Sequence, residues 1–111
     1  MVNIEKIIEI NKKFGGSLLN KSNLEFDTDM ANKSKDIYRS NAHLLRGIVQ
    51  GHTFFDGNKK TASAVVLSRF RKHGIKCNEN QFAKGIVSLA QERNTPIKNI
   101  ERRLKRWCPR R

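Results

Sequence analysis
At 111 residues and 12.8 kDa the chain suits one domain, with room for an apolar core that needs no metal or disulfide staple. Its formal charge of +13, from 23 Lys and Arg against 10 Asp and Glu, favours an acidic protein, a nucleotide or a nucleic acid as partner and says nothing about fold. A solvated, lysine-rich surface would give the same balance.

Asn3 is placed to cap a first helix whose Ile4, Ile7, Ile8 and Phe14 share a stripe, and Gly15-Gly16 is placed to end it. After a short link, Ser22 and Glu25 have the spacing of a capping box, which predicts a helix over roughly 23–33 with a sparse stripe of Leu24, Thr28 and Ala31. Ile37, Tyr38, Asn41, Ala42, Leu44, Leu45, Ile48 and Val49 then mark one broad helical face that Gly51 closes. From Thr61 to Phe70 the chain is apolar nearly all round (Ala62, Ala64, Val65, Val66, Leu67), which predicts a central helix ending at Gly74. Asn78 opens a helix carrying Phe82, Ile86, Leu89 and Ala90. Thr95-Pro96 opens the last one, with Ile97, Ile100, Leu104 and Trp107 in a stripe and Pro109 at its end. There is no internal repeat and no linker, so one all-α domain over 1–111 is expected.

Between the third and central helices lies His52-Thr53-Phe54-Phe55-Asp56-Gly57-Asn58-Lys59-Lys60-Thr61. Gly57 allows a sharp turn with close backbone approach. The free N–H groups at the start of the next helix, with the helix dipole, favour an anion. Lys59 and Lys60 add full positive charges, Asp56 offers oxygen to Mg²⁺, and His52 can take a proton near neutral pH. Plainer roles remain open: His52 as a helix cap, Asp56 in an Asx turn, and the two lysines as solvated side chains. Phe54 fits best as a core anchor, and Thr61 suits either a cap or a phosphate contact.

This segment resembles the signature of the Fic/Doc (Fido) family, H-x-F-x-[D/E]-[G/A]-N-[G/K]-R-T. His52, Phe54, Asp56, Gly57, Asn58 and Thr61 match, and Lys59 matches the death-on-curing (Doc) branch. The resemblance implies a compact helical bundle with the motif loop between two central helices and a short flap beside it. It also implies an ATP- and Mg²⁺-dependent transferase that modifies a Ser, Thr or Tyr hydroxyl of a target protein. His52 would be the base, Asp56 the metal ligand, and Gly57, Asn58, Lys59, Lys60 and Thr61 the phosphate site. Leu18 and Leu19 fall where the family's flap docks the target, although a buried role suits them as well. The Doc branch transfers the terminal phosphate and acts as a growth-arresting toxin, with targets in the translation machinery and an antitoxin partner. Transfer of AMP is the alternative. Thr53 replaces a proline of the Fic branch, Lys60 replaces arginine and so loses the planar fork, and Ser63 stands where AMP-transferring members have a second arginine. The family's built-in inhibitory motif has its nearest candidate at Ser88 to Glu92, which Arg93 breaks, so regulation is expected from a separate, acidic partner.

Cys77 and Cys108, with His43, His52 and His73, are too scattered for a zinc pattern, and reduced cytoplasmic thiols are the simplest account. The amino-terminal segment alternates charge through Glu5, Lys6, Glu9, Lys12 and Lys13, unlike a signal peptide, and no apolar run is long enough to span a membrane. A soluble cytoplasmic protein is expected. The basic run Arg102, Arg103, Lys105, Arg106, Arg110 and Arg111 lies mostly opposite the last apolar stripe, as a solvated face would. A non-enzymatic nucleic-acid-binding module is the third reading. Nucleic acid is the less expected partner, because no aromatic residues interleave with the cations.

Overall fold
The computed structural model describes residues 1–110. Asn3 opens α1 (Ile4–Lys13) by accepting from the backbone N–H groups of Glu5 and Lys6, and Gly15 turns the chain away at φ +78°. The next helix, α2 (Lys21–Lys33), starts earlier than the Ser22 spacing predicts. Asn20, as good a cap as serine, accepts from the Asn23 N–H at 3.0 Å and takes the position first. Leu24, Thr28 and Ala31 are its buried stripe, as expected.

Asp36 caps α3 (Ile37–Leu45), which is buried along almost its whole length. The helical face predicted to continue to Gly51 does so with a change of winding, since Arg46–Gln50 forms a π-turn. The wider turn is packed against the side chain of Asp27 in α2, and a Cβ on Gly47 would collide with that carboxylate. π-Turns of this kind concentrate at functional sites.

The central helix, α4 (Asn58–Lys72), packs against α1, α3, the π-turn and α5, which is why it is apolar nearly all round. Asn78 caps α5 (Glu79–Ala90). In α6 (Ile97–Trp107) the residue at the cap is Pro96, one later than predicted, because Thr95 is held elsewhere. Its hydroxyl donates to Glu92 at 2.9 Å and accepts from Gln50 at 2.8 Å. Helix α3 lies between α2 and α6, and one core cluster runs from Ile7 and Leu24 through Leu45, Ile48 and Val66 to Phe82, Ile100 and Leu104. The protein is all-α: six α-helices, with no strand among the described residues and a single antiparallel bridge between Leu18 and Phe54.

Cys77 and Cys108, expected as separate reduced thiols, are joined in a disulfide across 31 positions of sequence. The pairing follows from the fold: the Asn78 N–H donates to the Trp107 carbonyl at 2.7 Å, so the start of α5 is tied to the end of α6. Spacing alone could not reveal it. No helix among the described residues is long and apolar enough to cross a membrane.

Two substitutions test this packing. A Cβ at Gly85 would run into the indole ring of Trp107, so Gly85→Ala is expected to destabilise the fold by about 1–3 kcal/mol in chemical denaturation. Burial pushes the Asp27 carboxyl up from 3.8 to about 6, against the opposing pull of Arg46. Because the folded-state value lies above the unfolded one, stability is fullest below pH 4 and falls as the pH rises through 6. Asp27→Asn should remove that fall. With the side chain half-exposed, the gain at neutral pH is expected to be about 1 kcal/mol, read from melts at both ends of the range.

Candidate functional site
The loop from Gly51 to Gly57 is held through its backbone. Asn23 of α2 donates to the Gly51 carbonyl at 3.0 Å, and the buried Thr53 hydroxyl donates to the Gly47 carbonyl in the π-turn at 3.0 Å. The Thr53 carbonyl accepts from the N–H groups of Leu19 and Asn20, while the Phe55 N–H donates to the Ser17 carbonyl. The Asn58 side chain closes the bend on both sides, accepting from the Phe54 N–H at 3.0 Å and donating to the Phe54 carbonyl at 2.8 Å. From below, the buried Asn11 amide donates to the Asp56 carbonyl at 2.8 Å and to the Thr61 hydroxyl at 3.0 Å. Gly16 must be glycine, since a Cβ there would strike both Asn11 and the Asp56 carbonyl.

With the main chain fixed, the side chains of His52, Asp56, Lys59 and Lys60 are exposed. His52 is exposed and sits at φ +49°, one of two non-glycine residues at positive φ among those described. Strain at an exposed imidazole is the kind of outlier that gathers at functional sites. Gly57, at φ +74°, turns the chain into α4, and no side chain caps that helix start. The N–H groups of Asn58, Lys59 and Lys60 in its first turn therefore lack helical partners, and they form a ready anion seat. Asp56, Gly57, Asn58, Lys59 and Lys60 line a shallow cavity of about 230 Å³ together with Phe14 and Phe55.

Asp56 spends one carboxylate oxygen on the N–H of the adjacent Gly57 at 2.7 Å, one residue on and not the two of an Asx turn, and its side chain remains exposed. The described residues hold no cluster of three or more His, Cys, Asp or Glu side chains, so a cation at Asp56 would take its other ligands from phosphate oxygens and water. Of the residues lining this cavity, Asp56 alone offers a hard carboxylate oxygen that could hold Mg²⁺.

The structure thus brings Asp56, Gly57, Asn58, Lys59 and Lys60 to one rim, with His52 exposed at the other end of the clamped loop. Thr61, expected among the phosphate ligands, is the exception. It is fully buried, its N–H donates to the Gly57 carbonyl, and its hydroxyl is held by Asn11. Phe54 is buried, an anchor as expected. Leu18 packs against the core, while Leu19 is 48% exposed on the strip that pairs with the loop.

Sequence reasoning missed Asn11, Asn23 and Thr53. Asn11 left a trace: it falls four residues after Ile7, on the apolar stripe of α1, where a polar side chain must find a buried partner. A scan of protein-family models matches none to this chain, and a search of curated proteins returns no match.

Asn11→Ala would strip the Asp56 carbonyl and the Thr61 hydroxyl of their shared donor. A loss of about 1–3 kcal/mol is expected in denaturant titrations, with faster amide hydrogen exchange confined to the loop and the start of α4.

Proposed function
We propose that this chain is a Doc-like protein phosphotransferase, which uses ATP with Mg²⁺ to modify a hydroxyl side chain of a target protein. What supports the reading most is one arrangement: an exposed, strained His52 and an uncapped helix start flanked by Lys59 and Lys60, joined by a loop whose backbone is satisfied from beneath. The signature residues His52, Phe54, Asp56, Gly57, Asn58 and Lys59 lie on that same loop.

In this mechanism His52 accepts the proton of the target hydroxyl as its oxygen attacks the terminal phosphorus. The bond from that phosphorus to the bridging oxygen breaks, ADP leaves, and the phosphate ends on the target. The first-turn N–H groups of α4 and the ammonium groups of Lys59 and Lys60 balance the charge spread over the phosphate oxygens. Asp56 would hold Mg²⁺, whose contribution is to neutralise the polyphosphate. Lys59 fills space that a small residue would leave for the polyphosphate chain, which favours terminal-phosphate transfer over AMP transfer.

Leu19, exposed on the strip beside the loop, is the better placed of the two flap leucines to meet a target segment. An acidic antitoxin would suit the net charge of +13. The reading assigns the protein to the cytoplasm, where ATP and the translation machinery are found. The Cys77–Cys108 disulfide pulls the other way, since cytoplasmic reductants keep most thiols reduced.

Incubation with cell lysate and ATP labelled at the γ- or the α-phosphate tests the assignment. Label is expected on a protein from the γ position only, and His52→Ala should slow its transfer by about 10²–10⁴-fold. Label arriving from the α position would replace phosphate transfer with adenylylation. Transfer unchanged in His52→Ala would remove the catalytic role of this loop.

A further inference from the structure
We propose that the outer face of α6 binds the phosphate backbone of a double-stranded nucleic acid, through contacts that do not depend on base sequence. The inference stands apart from the transferase reading, because α6 packs on α3 and α5, whereas the loop is held by residues of α1, α2 and the Leu18 strip.

The charge pattern comes first. Lys98, Arg102, Lys105 and Arg106 are exposed on α6, and 98, 102 and 106 succeed one another at intervals of four, with 105 three after 102. Like charges at these spacings repel, costing a helix about 0.2–0.5 kcal/mol per pair. The helix does nothing to relieve this. Its one acid, Glu101, is buried and committed to Arg39 at 2.6 Å. Three ion pairs are formed among the described residues, and their cations are Lys33, Arg39 and Arg103. Lys98, Arg102, Lys105, Arg106 and Arg110 are in none of them.

These cations also share a surface. Arg102, Arg103, Lys105 and Arg106 line a shallow cavity of about 560 Å³ with Asn99 as the sole uncharged wall and no acid. Arg110 follows the end of the helix, its guanidinium 5.6 Å from the Tyr38 ring, and the Lys105 ammonium lies 5.8 Å from the same ring. The repulsion stored along this row is released when an array of negative charges lies against it.

The composition of the face selects the partner. Protein interfaces rely on a buried apolar or aromatic centre, and amphipathic membrane helices rely on apolar residues that enter the bilayer. The large exposed apolar residues of this protein are Met1, Phe14, Leu19, Phe26, Phe55 and Val87, none of them on α6, and Trp107 is buried. A surface with charge but no apolar anchor fits a partner held by charge alone, as phosphate backbones are. Guanidinium groups, three of the five free cations, grip phosphate through paired donors. With no exposed aromatic to stack on, bases go unread, which favours a duplex over a single strand.

Fluorescence anisotropy of the full chain with a short labelled duplex tests the proposal across a salt series. Engagement of about four phosphates should weaken binding by about 100-fold between ~50 and ~200 mM salt. The triple variant Arg102→Gln/Lys105→Gln/Arg106→Gln should reduce affinity at least tenfold more than Lys12→Gln/Lys13→Gln/Lys72→Gln, which removes equal charge from exposed positions of α1 and α4. Thermal melts check that both variants fold, and relief of like-charge repulsion predicts that the α6 variant is no less stable than its parent. Equal losses from the two triples would mean that net charge binds and α6 does not, which overturns the assignment. So would absence of duplex binding at physiological salt, or preferential binding to anionic vesicles or polyglutamate over the duplex.

Discussion

The site depends on a loop whose backbone hydrogen bonds are met from inside the protein. Side chains of Asn11, Asn23 and Asn58, the hydroxyl of Thr53 and the main chain of 17–20 account for polar groups from Gly51 to Asp56. A positive φ at a bulky residue such as His52 costs about 1–3 kcal/mol. Several bonds at about 0.5–1.5 kcal/mol each are enough to offset that cost. With much of the main chain satisfied from within, the imidazole and two ammonium groups remain exposed, as does the Asp56 carboxylate, one oxygen of which holds the Gly57 N–H.

Electrostatics divides the molecule along similar lines. Acids are scarce, and those with firm roles serve the fold: Glu92 grips Arg103 through two bonds and accepts from Thr95, and Glu101 holds Arg39 across α3 and α6. The Arg103 guanidinium beside Glu92 holds that carboxyl below the usual carboxylate range. His43, buried and near Arg46 and Arg39, is pushed the other way, toward its neutral form, chiefly by burial, whereas His52 is exposed. Cations outside these pairings include Lys59 and Lys60 at the start of α4 and Lys98, Arg102, Lys105 and Arg106 along α6.

Much of this was legible in the sequence where one local signal dominated. Asn3 and Asn78 cap their helices as read, and the all-round apolar pattern of α4 does mark the central helix. Local signals failed where two of them competed. Asn20 outran Ser22, and Thr95 was drawn from its cap by Gln50 and Glu92, partners that come near only in the folded chain. The π-turn was invisible because a helical stripe tolerates one extra residue, and the contact of Asp27 with Gly47 inside it crosses between helices. The disulfide and the Asn11 contacts are likewise long-range. In the loop itself, Thr61, which suited either a cap or a phosphate contact, is a buried strut, since burial depends on what α1 places beneath it.

On the proposed phosphotransferase reading, lysine at position 60, where the resembled signature has arginine, is easier to understand once the helix start is seen. Arginine's advantage is directional: a rigid fork that fixes two oxygens of a phosphate. Here direction is already supplied by the unpartnered N–H groups at the start of α4, which the core holds rigidly because Ala62, Val65 and Val66, immediately downstream, are buried. What that seat lacks is full charge, and the exposed ammonium groups of Lys59 and Lys60 provide it without needing a fixed geometry. Under that proposal, orientation from the backbone and charge from flexible side chains would together suffice for a polyphosphate. The grip would then depend on the fold of the loop more than on any one cation.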